Sequence, residues 1–170
     1  MVRLLLIRHA PAFDRDRQRW PDDRQRPLTP EGIAKFRKAA AGLGRLVESV
    51  DRLLTSPLVR TRETAALLSR LAGWPEALEA PELAPERTTA QVLKLVREQR
   101  GETIALVGHE PNLAELLAVS VIGAGASLGC ELKKGGTACL SFAADARPGQ
   151  ARLEWLLTPK VLRALAGDAR

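Results

Sequence analysis

The chain has 170 residues and a net charge of +6, from 26 basic and 20 acidic residues. That length is enough for one domain with its own core, and the shares of 45% apolar and 27% charged residues are typical of a globular protein rather than a disordered or fibrous one. We expect a cytoplasmic protein, because no apolar run approaches the roughly 18 residues of a membrane helix and none at the N-terminus suits a secretory signal.

The two cysteines and the basic charge limit the kinds of partner. Cys130 and Cys139 are too few for a disulfide framework and lack the paired spacing of a zinc site, so we expect buried thiols and neither metal nor cofactor. A pI near 10.0 favours an anionic partner. Nucleic acid is disfavoured, because the chain has no Tyr and no motif that reads a groove or stacks on bases. A phosphorylated substrate fits better.

The first predicted strand is the apolar run over residues 4–7, which stops at Arg8 and His9. Residues 13–27 follow as a polar, arginine-rich segment without helical or strand periodicity. We expect this segment to be an exposed loop beside the exit of the first strand.

A helix, a strand and a second helix come next. Thr29 is predicted to cap the first helix, whose apolar face continues to Val47. Residues 50–55 form a short strand, and a helix over residues 58–71 follows it. Arg60 therefore lies in the first turn of a helix, where free amides and the positive end of the dipole favour an anion.

Residues 78–85 are predicted to be a short extended segment, with Glu82 in an irregular loop between two prolines. A helix over residues 88–98 leads to a strand over residues 103–108, and this strand ends at His109. The later predicted elements are a helix over residues 112–121, a glycine-rich loop over 123–136, two antiparallel strands over 137–143 and 151–157, and a last helix over 161–165. This alternation predicts a single-domain α/β fold, with a largely parallel sheet and helices on both faces.

Arg8, His9, Arg60 and His109 follow three different predicted strands. In a parallel sheet the strands' carboxyl ends share one edge, so these side chains should converge. Two guanidiniums and two imidazoles suit a dianionic phosphoryl group. A neutral imidazole is also a competent nucleophile, and His9 is the better candidate because Arg8 and the strand end fix its position.

At these residues the chain resembles the histidine phosphatase superfamily, whose signature is an Arg-His-Gly motif after the first strand. The segments that carry the resemblance are Arg8-His9-Ala10, Arg26-Pro27-Leu28-Thr29-Pro30-Glu31-Gly32, Thr55-Ser56-Pro57-Leu58-Val59-Arg60-Thr61-Arg62-Glu63-Thr64 and Gly108-His109-Glu110-Pro111. With the small size and Pro81-Glu82-Leu83-Ala84-Pro85, the pattern is similar to the compact SixA-type phosphohistidine phosphatases, and the resemblance covers nearly the whole chain.

The resemblance implies a phosphoglycerate-mutase-like, three-layer fold and a metal-independent phosphatase that forms a covalent phosphohistidine on His9. It also implies that Arg8, Arg60 and His109 bind the phosphoryl group, that Arg26 borders the pocket, and that the substrate is phosphohistidine on a protein. Ala10 replaces the glycine of the signature and is expected to tighten the turn.

Other members of the superfamily use a glutamate as the acid toward an alkoxide, and Glu82 is the candidate here. Phosphohistidine needs an acid less, since a protonated imidazole already leaves readily. The sequence leaves two alternatives open: a phosphatase for small phosphomonoesters, and a non-catalytic module that binds phosphorylated partners. Nucleic-acid binding through residues 15–26 is a weaker hypothesis and predicts steep salt sensitivity.

Overall fold

One mixed sheet organises residues 1–167, the part of the chain that the computed structural model describes. Its strands are β1 (Val2–Arg8), β2 (Arg52–Thr55), β3 (Leu78–Glu79), β4 (Thr103–Gly108), β5 (Thr137–Phe142) and β6 (Ala151–Leu157). Their order across the sheet is β3-β2-β4-β1-β5-β6. The strands β1 to β4 run parallel, whereas β5 pairs antiparallel with both β1 and β6. The predicted largely parallel sheet is confirmed.

The helices of the described residues lie between these strands in the predicted sequence. They are α1 (Pro30–Leu46), α2 (Val59–Leu71), α3 (Thr89–Glu98), α4 (Asn112–Val121) and α5 (Pro159–Leu165). The hydroxyl of Thr29 accepts the Gly32 amide at 2.9 Å, which confirms the predicted cap of α1. No helix within residues 1–167 has the length and apolar character needed to cross a membrane.

Alternate residues of β1 pack into two separate cores. Leu4 and Leu6 contact α3 and α4, whereas Leu5 and Ile7 contact α1, α2 and α5. All four side chains are fully buried, since helices cover both faces of the sheet. The apolar run that predicted this strand is therefore continuous rather than alternating, and the predicted three-layer architecture is confirmed.

Two local predictions differ from the structure. Glu82 lies in a 3-10 helix, Pro81–Leu83, rather than in an irregular loop. Pro81 occupies the first position of this turn, where its missing amide hydrogen costs nothing. Of the two thiols predicted to be buried, Cys139 is buried but Cys130 is only half-buried.

The parallel register brings three chain exits together. Arg8 pairs with Gly108 across β1 and β4, and Thr55 pairs with Val107 across β2 and β4. Beyond the strand ends, the amide of His9 still donates to the Gly108 carbonyl at 3.1 Å. The segments that follow β1, β2 and β4 therefore begin side by side at one edge.

The start of α1 rests directly on the segment that follows β1. A Cβ built on Gly32 would lie 2.0 Å from the Pro11 carbonyl oxygen. We expect Gly32→Ala to lower the free energy of unfolding by about 1–3 kcal/mol, the usual cost of overpacking. This cost outweighs the higher helix propensity of alanine, which is worth about 1 kcal/mol relative to glycine. Urea denaturation measures this change.

Gly129→Ala is the matched control, because an added Cβ there meets nothing within 4 Å. We expect this variant to be within about 1 kcal/mol of the parent. A Gly32→Ala protein at least as stable as the parent would contradict the proposed contact.

Candidate active site

A pocket of about 230 Å³ lies at the shared edge of β1, β2 and β4. Its lining residues are Arg8, His9, Phe13, Asp14, Arg15, Arg26, Arg60, Pro85, His109, Glu110 and Lys134. Five of the six residues singled out from the sequence are therefore here, and Glu82 is not among them. The pocket is rich in arginine and histidine, as the convergence of strand ends predicts.

The imidazole of His9 is held in one tautomer. Its Nδ1 lies 2.7 Å from the carbonyl oxygen of Ala10, and a carbonyl only accepts, so Nδ1 carries the proton. The other ring nitrogen, Nε2, therefore keeps its lone pair. Burial, together with the charges of Arg60 and Arg8, lowers the pKa of His9 to about 3, although the hydrogen bond to the Ala10 carbonyl opposes this shift. His9 is neutral at physiological pH, the state required of a nucleophile.

Ala10 connects the His9 segment to α2. Its amide donates to Thr64 Oγ1 at 3.0 Å, and the Thr64 hydroxyl donates to the Arg60 carbonyl at 2.7 Å. Ala10 is fully buried, and no non-glycine residue within residues 1–167 has a positive φ. The turn therefore accepts alanine without the strain expected from the departure from Arg-His-Gly.

Asp23 links Arg26 and Arg60, two of the arginines that line the pocket. Arg60 Nη1 donates to the Asp23 carbonyl at 2.9 Å, and Arg60 Nη2 lies 3.3 Å from the carboxylate. Arg26 Nε donates to the same carboxylate at 2.7 Å. Burial raises the pKa of Asp23, but the Arg26 hydrogen bond and the Arg60 charge outweigh this and hold the pKa below its usual value. Asp23 is thus an anion bound to the pocket's cations.

Arg26 is only 7% exposed, although the sequence placed it in an exposed loop. Besides Asp23, it contacts the Phe13 carbonyl, to which its Nη1 donates at 2.6 Å. A short 3-10 helix, Asp23–Gln25, turns the chain so that Arg26 points inward. Residues 23–26 of the segment predicted to be exposed are therefore folded against the pocket.

Arg8 is anchored by a loop for which the sequence predicted no role. Its Nη1 donates to Glu131 Oε1 at 2.7 Å and to the Leu132 carbonyl at 2.6 Å. Lys134 from the same loop lines the pocket. Nothing in the local sequence signals these contacts, because Arg8 and Glu131 are 123 positions apart.

His109 completes the group, with its ring centroid 5.4 Å from that of His9. Its Nε2 lies 2.9 Å from Ser56 Oγ. Burial, together with the nearby His9 and Arg60, lowers the pKa of His109 to about 2. Both histidines of the chain are therefore neutral at physiological pH.

Several buried nitrogens of the pocket have no hydrogen-bond partner. The described part of the chain has six buried side-chain nitrogen or oxygen atoms without a hydrogen-bond partner. Three of them belong to residues that line the pocket: Arg8 Nε, Arg60 Nε and His109 Nδ1. Buried polar groups normally have partners, and an unmet one costs about 1–3 kcal/mol. The guanidinium Nε atoms of Arg8 and Arg60 can only donate, so an oxyanion would suit them as an acceptor, and the pocket has the composition of an oxyanion site.

Two glutamates lie near the pocket in different ways. Glu82 lines a separate cavity of about 10 Å³, which it shares with His109. Glu110 lines the pocket itself, and its carboxylate accepts the Leu132 amide at 2.9 Å. Burial raises the pKa of Glu110. The sequence motif contained Glu110, but no role was predicted for it.

No group of three or more His, Cys, Asp or Glu side chains in residues 1–167 is placed to hold a metal ion. The positive charges that line this pocket are those of the guanidiniums and of Lys134.

Comparison with known proteins finds a family match and a related sequence. Residues 4–84 match the model of the histidine phosphatase superfamily (branch 1). An uncharacterised protein of Picosynechococcus sp. is 32% identical over 117 residues, which are 67% of this chain and 70% of that protein.

Solved structures share the fold over most of their length. The protein histidine phosphatase SixA complexed with tungstate has a TM-score of 0.75 and 24% identity, covering 95% of this chain and 99% of that one. A mycobacterial glucosyl-3-phosphoglycerate phosphatase has a TM-score of 0.67 and 16% identity, covering 93% and 100%.

The lowered histidine pKa values can be tested directly, because His9 and His109 are the only histidines of the chain. We expect neither ring to titrate between pH 5 and 8 in 15N NMR spectra. The folded pKa values, about 3 and about 2, lie below the usual 6.5. Their contribution to stability is therefore complete above pH 6.5 and is lost as the pH falls through the folded values. A ring that titrates near 6.5 would contradict this burial.

The role of Asp23 predicts a change in anion affinity. We expect Asp23→Asn to bind inorganic phosphate about fivefold more tightly, because it removes a negative charge while the backbone contact to Arg60 remains. Isothermal titration calorimetry measures the affinity. Asp145→Asn removes the same charge at an exposed position outside the pocket and should leave the affinity unchanged. Weaker binding by Asp23→Asn would instead mean that Asp23 mainly orients the arginines.

Proposed function

The chain belongs to the histidine phosphatase superfamily and is a phosphatase, and we propose that it hydrolyses phosphohistidine on a protein through a covalent intermediate on His9. The observation that carries this proposal is the neutral His9 ring, with Nε2 free to attack, beside three unpartnered buried nitrogens. These groups combine a nucleophile with donors for the oxygens of its target.

In the first step His9 Nε2 attacks phosphorus. The bond from phosphorus to the substrate imidazole breaks, and that imidazole leaves with the electron pair. Arg8, Arg60 and His109 hold the phosphoryl oxygens in this proposal, and Arg26 adds charge at the border of the pocket. The guanidiniums withdraw charge from the phosphoryl group, which lowers its repulsion toward the nucleophile.

In the second step water attacks the phosphoryl group on His9. The phosphorus–Nε2 bond breaks, and phosphate leaves with the oxygen and protons of the water. His9 returns to its neutral form, which the buried setting favours. The proposal needs no metal, since the guanidiniums supply the positive charge.

The choice of phosphohistidine rests on two supports. The SixA structure with the same fold is that of a protein histidine phosphatase. In addition, the candidate acid Glu82 lines a separate cavity rather than the pocket that contains His9, and an imidazole leaving group needs an acid less than an alkoxide does. The free thiols Cys130 and Cys139 suit the reducing cytoplasm, where we propose that the enzyme acts.

A small phosphomonoester is the second candidate substrate. The mycobacterial neighbour acts, by its name, on glucosyl-3-phosphoglycerate and shares this fold. In that case the reaction needs a proton donor for the leaving oxygen, and Glu82 is the residue proposed for the role.

The test compares release of phosphate from a phosphohistidine protein, p-nitrophenyl phosphate and β-glycerophosphate, in the presence of chelator. We expect a preference for phosphohistidine, and a loss of at least about a thousandfold in kcat/KM for His9→Ala because the nucleophile is gone. Quenching the wild type with a denaturant at alkaline pH, where phosphoimidazole is stable, should trap radiolabelled phosphate on His9.

Glu82→Gln serves as the discriminating variant in the same assay. We expect phosphohistidine hydrolysis within about twofold of the parent, since the leaving imidazole carries its own proton. A preference for β-glycerophosphate that is lost in Glu82→Gln would establish the second candidate instead. Ligand that survives prolonged incubation with the wild type would identify a binding module.

A further inference from the structure

A second and larger concavity adjoins the catalytic pocket. It is a groove of about 750 Å³, within the range of about 300–1,000 Å³ typical of ligand sites. One wall is the face of α4 from Pro111 to Val119, and the other is the loop from Gly125 to Glu131. We call this concavity the α4 groove.

The α4 groove lies next to the catalytic pocket. Glu110 lines both spaces. Glu131 lines the groove and is the residue whose carboxylate binds Arg8 at 2.7 Å. A chain whose phosphorylated side chain enters the pocket therefore has the groove next to its backbone.

The walls of the groove combine small apolar side chains with acids. Ala114 and Ala118 lie one helical turn apart on α4 and leave room above the helix, and Leu128 faces them from the loop with 39% of its surface exposed. Three glutamates line the groove: Glu110, Glu115 and Glu131. Among the described residues, no lysine or arginine lines it. In a chain of net charge +6, this is a local reversal of charge.

Glu115 is the acid of the groove that is free to bind a ligand. It is exposed, and it makes no ion pair with any residue in 1–167. Glu131, by contrast, is already shared between Arg8 and Lys133.

We propose that the α4 groove binds the polypeptide next to the phosphohistidine of the substrate protein, and that it selects segments with a basic and a small apolar side chain. The inference rests on the proposed function. The α4 wall is about 12 Å long at about 1.5 Å per residue, which matches three to four residues of extended chain at about 3.3 Å each. The groove thus supplies the selectivity that a pocket built for the phosphoryl group alone lacks.

The test uses two labelled phosphohistidine peptides that differ only in carrying lysines or glutamates within four residues of the phosphohistidine. We expect the wild type to have a KM about fivefold lower for the lysine peptide, the size of one exposed ion pair. Glu115→Lys should reverse this preference while kcat and the hydrolysis of p-nitrophenyl phosphate stay unchanged.

Glu76→Lys is the control, because Glu76 is an exposed acid that does not line the groove. It makes the same change in net charge and should leave the preference between peptides intact. The inference is overturned if Glu115→Lys leaves the preference intact, if Glu76→Lys shifts it equally, or if sedimentation shows that Glu115 instead controls pairing of two copies.

Anisotropy of the same peptides bound to His9→Ala separates this inference from the proposed function. If the wild type does not cleave the peptides but His9→Ala binds the lysine peptide in a Glu115-dependent way, the proposed function fails and the groove stands. If the wild type cleaves both peptides and neither KM nor affinity depends on Glu115, the groove fails and the proposed function stands.

Discussion

The parallel pairing of β4 with both β1 and β2 is the constraint on which the site depends. Both faces of these strands are covered, so their interiors accept only apolar side chains, and polar groups can emerge only where the strands end. The register then places the exits of three strands side by side. The backbone hydrogen bonds between the strands therefore bring residues that are far apart in the chain close together at this edge.

Burial at that edge gives the side chains their chemical state. Removing an imidazole from water penalises its charged form, so His9 and His109 are neutral where an exposed histidine would be partly protonated. Loop acids contact the guanidiniums: Asp23 contacts Arg60, and Glu131 contacts Arg8. The pocket therefore contains a lone pair for attack and cations for the oxygens, each stabilised by a different part of the fold.

Sequence patterns predicted the features that depend on local physics. The apolar run of β1, the Thr29 cap and the convergence of Arg8, His9, Arg60 and His109 all follow from periodicity, capping chemistry and the geometry of parallel strands. The inward turn of Arg26 and the Glu131 anchor of Arg8 do not, since each depends on how a loop without periodicity folds over the sheet edge. The placement of Glu82 in a neighbouring cavity likewise depends on a 3-10 turn, which was not predicted because the two flanking prolines indicated an irregular loop.

The boundary between the pocket and the α4 groove connects reactivity with recognition. Glu110 lines both spaces, and its carboxylate accepts the Leu132 amide. Burial raises the pKa of this carboxyl. In the proposed complex, the substrate side chain passes Glu110 where it enters the pocket. The loop that supplies Glu131 to Arg8 also forms a wall of the groove. A polypeptide bound there, as we propose, would contact the loop that anchors Arg8. One short segment of chain would then connect binding beside the site with the orientation of Arg8 within it.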